Sequence, residues 1–158
     1  MLVSLLLPAL LATSATGLSI QHERAEPPSK ALDARQAVVT PPPCEPMVPE
    51  PSAEETEERF NRFANAFLVT KNLTEAFEYI SATYINHNPW AENGPEAALD
   101  VLGPIWPTID ITVLRTTFQC NTGWLNYVAT GVGEVVDRFR WESGCIVEHW
   151  DFGEVYPE

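Results

Sequence analysis

Hydrophobic positions after residue 52 first repeat with the period of an α-helix. Five of them are spaced i, i+3, i+4, i+7 and i+8, namely Phe60, Phe63, Ala64, Phe67 and Leu68. This spacing places all five on one apolar stripe of a helix. Ahead of the stripe, Ser52 and Glu55 have the spacing of a capping box, so the helix is expected to begin at Ser52.

Two shorter helices are expected next along the chain. One begins near Asn72 or Thr74, with Phe77 and Ile80 turned inward. The segment "YINHNP", residues 84–89, is expected to be a short extended piece, because a residue that precedes proline avoids the α region.

The third predicted helix has a clear start and a clear end. It begins at Pro95, because proline suits the first position of a helix, and it stops at Gly103. Ala98, Leu99 and Leu102 then face inward. The first half of the ordered region is therefore predicted to be helical.

From Ile109 the hydrophobic period changes to two. Four segments rich in Val, Ile, Thr and aromatic residues come next, with short turns between them: 109–120, 124–131, 134–141 and 145–152. They are typical of antiparallel strands. Helices followed by a run of strands predict an α+β fold. Because the region from residue 52 to 158 is short, one curved sheet must wrap around the helices to bury enough surface.

The N-terminal residues 1–17 are predicted to be a secretory signal peptide. Their apolar core, Leu2 to Ala12, is too short for a membrane span, and small residues at Thr13 and Ala15, or at Ala15 and Gly17, suit cleavage. The alternative is that the same segment stays as a membrane anchor. No other stretch is long and apolar enough to span a bilayer. The protein is therefore expected to enter the secretory pathway or to be secreted.

Residues 18–51 separate the leader from the predicted domain. They hold eight of the fourteen prolines of the chain, so a linker or pro-segment is expected there. The domain itself is predicted to cover residues 52–158.

The charge of the chain excludes several classes of partner. With 22 acidic and 9 basic side chains, the formal net charge is -13. A nucleic-acid partner is not expected, because phosphate binding requires a basic surface. The same charge disfavours docking on anionic lipid. A neutral or cationic small molecule is compatible with this charge as a ligand.

The cysteines and one sequon carry further predictions. No two of Cys44, Cys120 and Cys145 have the spacing of metal ligands, so no metal site is expected. At most one intramolecular disulfide can form; one that involves Cys44 is favoured, and spacing does not choose its partner. Asn72 begins the sequon Asn-Leu-Thr and is predicted to be glycosylated in a secreted chain.

The segment "DRFRWESGCIVEHWD", residues 137–151, is predicted to be a hairpin that mixes aromatic and charged groups. A two-residue turn at Ser143-Gly144 places one set of residues on one side of the sheet: Asp137, Phe139, Trp141, Ile146, Glu148 and Trp150. The other side collects Arg138, Arg140, Val147, His149 and Asp151. A one-residue slip would exchange the two sets.

The first face combines the carboxyl groups of Asp137 and Glu148 with aromatic rings. A carboxyl group inside an apolar pocket has its charged form disfavoured, and the raised pKa suits general acid–base catalysis. The alternative is that both carboxyl groups are exposed and the rings only pack at the edge of the sheet. For His87, the alternative to a role in the site is a structural one, in which its side chain caps the turn before Asn88-Pro89 by hydrogen bonding.

Two of these segments resemble a known family. "YINHNPWAENGPEAAL", residues 84–99, and "VVDRFRWESGCIVEHWDF", residues 135–152, resemble the SnoaL-like family of small polyketide-cyclase-type proteins. The resemblance covers roughly residues 53–158 and is most specific in the C-terminal hairpin. It implies the cone-shaped α+β barrel of ketosteroid isomerase and nuclear transport factor 2. In that fold three N-terminal helices and a strongly bent antiparallel sheet enclose one pocket.

The resemblance also implies an activity and a set of site residues. Asp137 matches the position of the base that removes a proton next to a carbonyl, so that the enolate closes a ring, and His87 matches a pocket residue. No metal or organic cofactor takes part. A hydrophobic small molecule, of the kind found in secondary metabolite biosynthesis, would be the substrate, and the reaction would be a cyclisation, an isomerisation or a dehydration. The expected binding residues are Tyr84, Trp90, Trp106, Phe139, Glu148, Trp150, Phe63 and Phe67.

Two features depart from the family pattern, and two other functions compete. The stretch between the second and third segments, "ATGVGEVV", lacks the histidine that some cyclases carry there, and a secretory leader is unusual. The competing functions are a pocket that only folds a substrate for a pericyclic step and a non-catalytic secreted ligand-binding domain, since one fold hosts many functions. A homodimer is also expected, with Arg138, Arg140, Val147 and His149 near its two-fold axis.

Overall fold

The structure, a computed structural model, describes residues 38–158. The predicted signal peptide, residues 1–17, and residues 18–37 of the Pro-rich segment lie outside the described residues. Within the described part, no helix combines the length and the apolar character that crossing a bilayer requires.

Three helices precede most of the sheet, as the hydrophobic period predicts. α1 spans Ala53–Ala64 and continues into a π-helical turn, Asn65–Val69. The predicted capping box is present: the Ser52 hydroxyl accepts from the Glu55 N–H at 3.2 Å, and the Ser52 N–H donates to the Glu55 carboxylate at 2.8 Å. α2 spans Leu73–Phe77 and α3 spans Pro95–Leu102.

Five strands form a single sheet. They are β1 Ile80–Asn86, β2 Ile111–Gln119, β3 Thr122–Ala129, β4 Gly133–Glu142 and β5 Cys145–Trp150. The order across the sheet is β1-β5-β4-β3-β2. All neighbours are antiparallel except β1 and β5, which are parallel. Ile80, expected on the inward face of the second helix, instead begins β1.

The sheet is strongly curved and does not close into a barrel, since β1 and β2 remain its two edges. Register shifts interrupt the pairing of β1 with β5, of β2 with β3 and of β4 with β5. Such bulges bend the strands that carry them. The predicted α+β cone architecture is therefore confirmed, with one parallel pair that the sequence did not indicate.

The helices pack on the concave side of the sheet through aromatic side chains. The Phe63 ring meets the Phe139 ring edge to face at 4.9 Å between centroids, and the Phe67 ring stacks on Trp106 at 4.3 Å. Such pairs add to the free energy gained from burying the rings. The apolar stripe of α1 thus fixes the helix against β4, the strand that carries Asp137.

The register of the last hairpin differs from the prediction. Trp141 pairs with Ile146 as expected, but the next pair is Arg140 with Glu148, so Val147 is an extra residue on β5. Beyond this bulge every side chain of β5 changes face. The expected positions of Glu148, His149 and Trp150 are therefore wrong. His149 lies on the concave side, and Glu148 and Trp150 lie outside.

Residues 38–51 form an extended strap that lies against the domain. The Cys44 N–H donates to Ile80 O at 2.8 Å, and the Met47 N–H donates to Ser143 O at 2.9 Å. A disulfide joins Cys44 to Cys145, and Cys120 is free and exposed. The prediction of one disulfide that involves Cys44 is confirmed. The last part of the Pro-rich segment is thereby fixed at the edge of the sheet.

Asn72 lies at the start of α2 and is partly exposed. Its side-chain oxygen accepts from the Glu75 N–H at 3.2 Å, which is the contact of a helix N-cap. Glycosylation of this residue, like export of the protein, stays a prediction.

Candidate functional site

A cavity of about 340 Å³ lies between the helices and the concave face of the sheet. Its volume is within the range of small-molecule sites, roughly 300–1,000 Å³. Most of its wall is apolar, and six of the predicted binding residues line it: Phe63, Phe67, Tyr84, Trp90, Trp106 and Phe139. The cavity therefore has the composition of a site for a hydrophobic molecule.

Asp137 is the central polar group of this cavity. It projects from the concave face of β4, and its side chain is only 4% exposed. The Tyr127 hydroxyl donates to Asp137 Oδ2 at 2.9 Å, and His149 Nε2 lies 3.1 Å from Asp137 Oδ1. The predicted inward orientation of Asp137 is confirmed, because β4 keeps its strict alternation on both sides of the residue.

His149 reaches Asp137 from the neighbouring strand β5. Its ring stacks on Phe139 with 4.7 Å between centroids, and its other nitrogen, Nδ1, lies 3.2 Å from Asn86 Oδ1. Asn86 is brought there by the parallel pairing of β1 with β5, in which Asn86 is the partner of His149. The side chain is therefore held at both ring nitrogens.

The hydrogen-bond partners assign the tautomer of His149. Asn86 Oδ1 also accepts from the Asn88 backbone N–H at 3.0 Å, and an N–H group only donates. The oxygen of the Asn86 amide must therefore face His149, and Nδ1 must carry a hydrogen. In a neutral ring, Nε2 then accepts a hydrogen bond from a protonated Asp137. In an imidazolium ring, Nε2 donates a hydrogen bond to the Asp137 carboxylate. Asp137 and His149 form a pair that holds a proton between them.

The turn after β1 positions a second carboxyl group. Asn88 Oδ1 accepts from the Trp90 N–H at 2.7 Å, which leaves the Asn88 amide NH₂ to donate to Asp151 Oδ2. Asp151 also lines the cavity, and its other oxygen is buried without a hydrogen-bond partner among the described residues. The "NHNPW" sequence is thus a turn whose two asparagines orient His149 and Asp151.

Tyr84 brings a hydroxyl group to the same polar end of the cavity. Burial is the main cause that raises the pKa of Tyr84, and the charges of Asp137 and Asp151 raise it further. The pKa of Tyr127 is also raised, by burial first and then by the charge and hydrogen bond of Asp137. Both phenols therefore stay protonated and act as hydrogen-bond donors across the physiological pH range. The hydroxyl of Tyr127 is occupied by Asp137, whereas none of the hydrogen bonds of the described residues uses that of Tyr84.

Three predicted site residues lie on the convex side of the sheet instead. His87 Nε2 lies 3.0 Å from Glu148 Oε2, and the His87 ring stacks on Trp150 at 4.4 Å. Burial alone would raise the pKa of Glu148, but hydrogen bonds from His87 and Arg140 lower this pKa overall. Glu148 is therefore an ion-pair partner rather than a buried acid, and none of the three lines the cavity.

Arg138 and Arg140 lie on the convex side as expected. The Arg138 guanidinium lies over the Trp150 ring at 4.0 Å and binds both carboxylate oxygens of Glu154 at 2.9 Å. Because His149 faces the cavity, it cannot take part in a contact between convex faces. The homodimer itself stays a prediction.

Five polar residues of the site were not predicted as site residues: Asn86, Asn88, Tyr127, His149 and Asp151. His149 and Asp151 were assigned to the wrong face because the bulge at Val147 has no signature in the sequence. Asn86 and Asn88 flank His87 in the motif, so their spacing around Pro89 was the available signal. The signal for Tyr127 was the alternation of side chains along β3, which places it on the same face as Leu125 and Ala129.

Three side chains of the site have the arrangement of potential metal ligands. One ligand atom from each of Asp137, His149 and Asp151 lies within 4.8 Å of the others. Carboxylate and imidazole groups suit divalent transition metals. A cation could therefore be held here, and the expected absence of a metal stays a prediction.

Solved structures resemble this chain in fold. An NTF2-like protein of Mesorhizobium loti is 19% identical, with 72% of this chain and 97% of that one covered and a TM-score of 0.52. AclR of Streptomyces galilaeus, a candidate hydroxylase, is 16% identical, with 63% and 79% covered and a TM-score of 0.52. An NTF2-like protein of Cytophaga hutchinsonii is 17% identical, with 61% and 87% covered and a TM-score of 0.51.

No protein-family model matches the chain, and no curated protein sequence matches it. At these identities the likeness to solved structures concerns the fold and not the activity. The order of helices and strands in this chain agrees with it. The chain therefore has the NTF2-like fold, which is the fold that the SnoaL-like resemblance implies.

Proposed function

We propose that the protein is a cofactor-free cyclase or isomerase that removes a proton next to a carbonyl group of a hydrophobic small molecule. The observation that carries this proposal is the position of Asp137, a buried carboxyl group in a largely apolar cavity, paired with His149 at 3.1 Å. Buried titratable groups in apolar clefts are typical of proton-transfer sites.

Asp137 is the proton acceptor in this proposal, and His149 supports it. With the shared proton on His149, the imidazolium and the Tyr127 hydroxyl together compensate the carboxylate for its lost hydration. The remaining lone pairs of the carboxylate accept the proton of the substrate. Asn86 holds the imidazole ring so that Nε2 stays directed at Asp137.

Tyr84 is the group that binds the carbonyl oxygen. When the C–H bond breaks, its electrons move to the carbonyl and negative charge develops on that oxygen. A donor already in place stabilises this charge. The raised pKa of Tyr84, caused by burial and by the two carboxylates, keeps its proton on the hydroxyl, so it donates to the oxygen.

The apolar wall determines the fate of the enolate after the proton transfer. It excludes water and holds the enolate against a second reacting carbon. If that carbon is a carbonyl carbon, the new bond closes a ring, and the aldolate oxygen takes the proton that Asp137 removed, which restores the carboxylate. If Asp137 returns its proton to a different carbon, the product is an isomer. Both outcomes use the same first step.

This first step can be measured without knowing the natural substrate. Aryl methyl ketones are incubated with the protein in D₂O, and exchange of the protons next to the carbonyl is followed by NMR. Asp137→Asn keeps the shape and removes the base, so exchange should slow by about 10²- to 10⁴-fold, the usual contribution of a general base. Binding of the ketone should change little.

Glu142→Gln is the matched control, because it makes the same carboxyl-to-amide change at an exposed position on the same strand. Its exchange rate should equal that of the unaltered protein. An exchange rate that Asp137→Asn leaves unchanged would contradict the proposal. A rate that EDTA abolishes and a divalent cation restores would contradict its cofactor-free form, given the three potential ligands at the site.

A further inference from the structure

A second concavity adjoins the cavity. It is an open groove of about 520 Å³, formed where the C-terminal residues 151–156 cross the end of β4. Four residues line both spaces: Trp90, Val132, Val135 and Asp151. The cavity and the groove therefore meet at these side chains.

The groove brings together several strongly exposed hydrophobic side chains beside charged ones. Among the described residues, five large hydrophobic side chains are at least 70% exposed, and four of them line this groove: Trp90, Val132, Phe152 and Val155. Single exposed hydrophobic residues are ordinary, but a contiguous group of them marks a binding surface. Trp90 and Phe152 also contact each other edge to face at 5.7 Å.

The wall of the groove is fixed rather than loose. Glu154 is held by two hydrogen bonds from Arg138, each 2.9 Å, and the Arg115 guanidinium lies over the Tyr156 ring at 4.0 Å. On the other side, the Asn88 side chain holds the backbone of Trp90. A fixed wall binds a ligand with less loss of conformational entropy than a mobile one.

We infer that the groove is a second substrate subsite, which takes the apolar distal part of an elongated ketone whose reacting end lies in the cavity. The continuity of the two spaces through Trp90 and Val132 provides the path. The charged side chains of Arg115 and Glu134 also line the groove. The inference rests on the proposed function only in placing the carbonyl group beside Asp137.

The substrate class is set by the two spaces together. A molecule confined to the cavity would leave the exposed rings of Trp90 and Phe152 in water. An aryl ketone with an alkyl or second aryl extension of several carbons buries both. The protein should therefore select elongated, largely apolar ketones over compact ones of the same reactivity.

The test is a series of 4-alkylacetophenones, from methyl to octyl, with binding measured by calorimetry. In the unaltered protein, affinity should rise by about fourfold for each added methylene that becomes buried, and the rise should continue to the long members. In Phe152→Ser/Val155→Ser, which changes two residues that line the groove and not the cavity, the long members should lose affinity by about 10-fold or more, because two apolar side chains are removed from the groove. The methyl member should bind within about twofold of the unaltered protein.

Val69→Ser is the matched control, since Val69 is an exposed valine that lines neither space. It should leave the whole series unchanged. An affinity that stops rising after the shortest members in the unaltered protein would overturn the inference. So would an equal loss for short and long members, or a change that affects only the oligomeric state in light scattering, which would identify the groove as a contact between copies.

The outcome separates this inference from the proposed function. Binding is measured without turnover, and the series can be repeated with Asp137→Asn. Exchange that depends on Asp137 but shows no length-dependent binding overturns the second subsite alone. Length-dependent binding without any exchange that depends on Asp137 overturns the proposed function alone.

Discussion

At the scale of single residues, the site depends on side chains that act through others. His149 has a partner at each ring nitrogen, and Asn86 determines which nitrogen carries the fixed hydrogen. A backbone N–H, that of Asn88, in turn fixes the amide of Asn86. The protonation state of Asp137 and His149 is thus connected to the backbone of the turn after β1.

Asn86→Ala removes the acceptor of the His149 Nδ1–H. The ring can then adopt the other tautomer, in which Nε2 carries the hydrogen when the ring is neutral. Ketone exchange should slow by about 10- to 100-fold, which corresponds to one hydrogen bond to a charged group. The ¹⁵N chemical shift typical of a protonated ring nitrogen should move from Nδ1 to Nε2 of His149. A slower rate with an unchanged ¹⁵N pattern would show that Asn86 acts only on the structure.

Tyr84 connects the site to the stability of the protein at high pH. Its pKa is raised in the folded protein, mainly by burial. Between the ordinary tyrosine pKa of about 10 and the raised value, the unfolded chain loses a proton that the native state keeps. The contribution of Tyr84 is therefore complete below pH about 10, and stability falls as the pH rises further.

Tyr84→Phe should make the fall in unfolding free energy above pH about 10 less steep, by up to about 1.4 kcal/mol per pH unit. Urea unfolding at several pH values from about 8 to 11 measures this slope on both sides of the ordinary tyrosine pKa. At the lower end of that range the variant and the unaltered protein should have parallel stability curves. Equal slopes above pH about 10 would contradict burial of the Tyr84 hydroxyl.

At the scale of elements, the close contact between α1 and the sheet is set by a glycine. A Cβ atom at Gly123 on β3 would overlap the edge of the Phe60 ring, far inside an ordinary contact distance. Phe60 is 1% exposed and cannot move outward. The absence of a side chain at Gly123 thus allows α1 to approach the sheet.

Gly123→Ala should lower the free energy of unfolding by about 1–3 kcal/mol, the usual cost of overpacking a core. Phe60→Leu supplies the test of mechanism, because it removes the ring that the new methyl group meets. In the double variant the loss should be smaller than the sum of the two single losses, as measured by urea denaturation. Additive losses would contradict a direct clash.

At the scale of the whole molecule, the strap of residues 38–51 closes the structure across a long sequence distance. The Cys44–Cys145 disulfide spans a sequence separation of 101 residues. Closing a loop of this length restricts the unfolded chain strongly, and backbone hydrogen bonds from Cys44 and Met47 add native contacts. The strap is thus a part of the folded domain rather than a free linker.

Cys44→Ala/Cys145→Ala should lower the free energy of unfolding by about 2–5 kcal/mol. The control is Cys120→Ser at the exposed free cysteine, which should change stability by less than about 0.5 kcal/mol. Urea denaturation under non-reducing conditions measures both. If the two variants are equally stable, the disulfide does not hold the strap in solution.

The sequence by itself determined the local elements and one side of the site. The stripe of α1, the capping box at Ser52 and the alternation along β2 to β5 result from the geometry of helices and strands, which repeats over short distances. The same alternation directed Asp137 and Phe139 to the concave face, because β4 is regular through both residues. Three cysteines also limited the chain to one intramolecular disulfide, although their spacing left the partner of Cys44 open.

Only the tertiary structure decided the rest of the site. The bulge at Val147 turned His149 inward and Glu148 outward, and parallel pairing placed Asn86 beside His149 although 63 residues separate them. The groove at Trp90 and Phe152 likewise needs the C-terminal residues to cross the sheet. Local periodicity does not determine these features, because they depend on how a bent sheet pairs its distant strands while keeping its concave face packed on the helices.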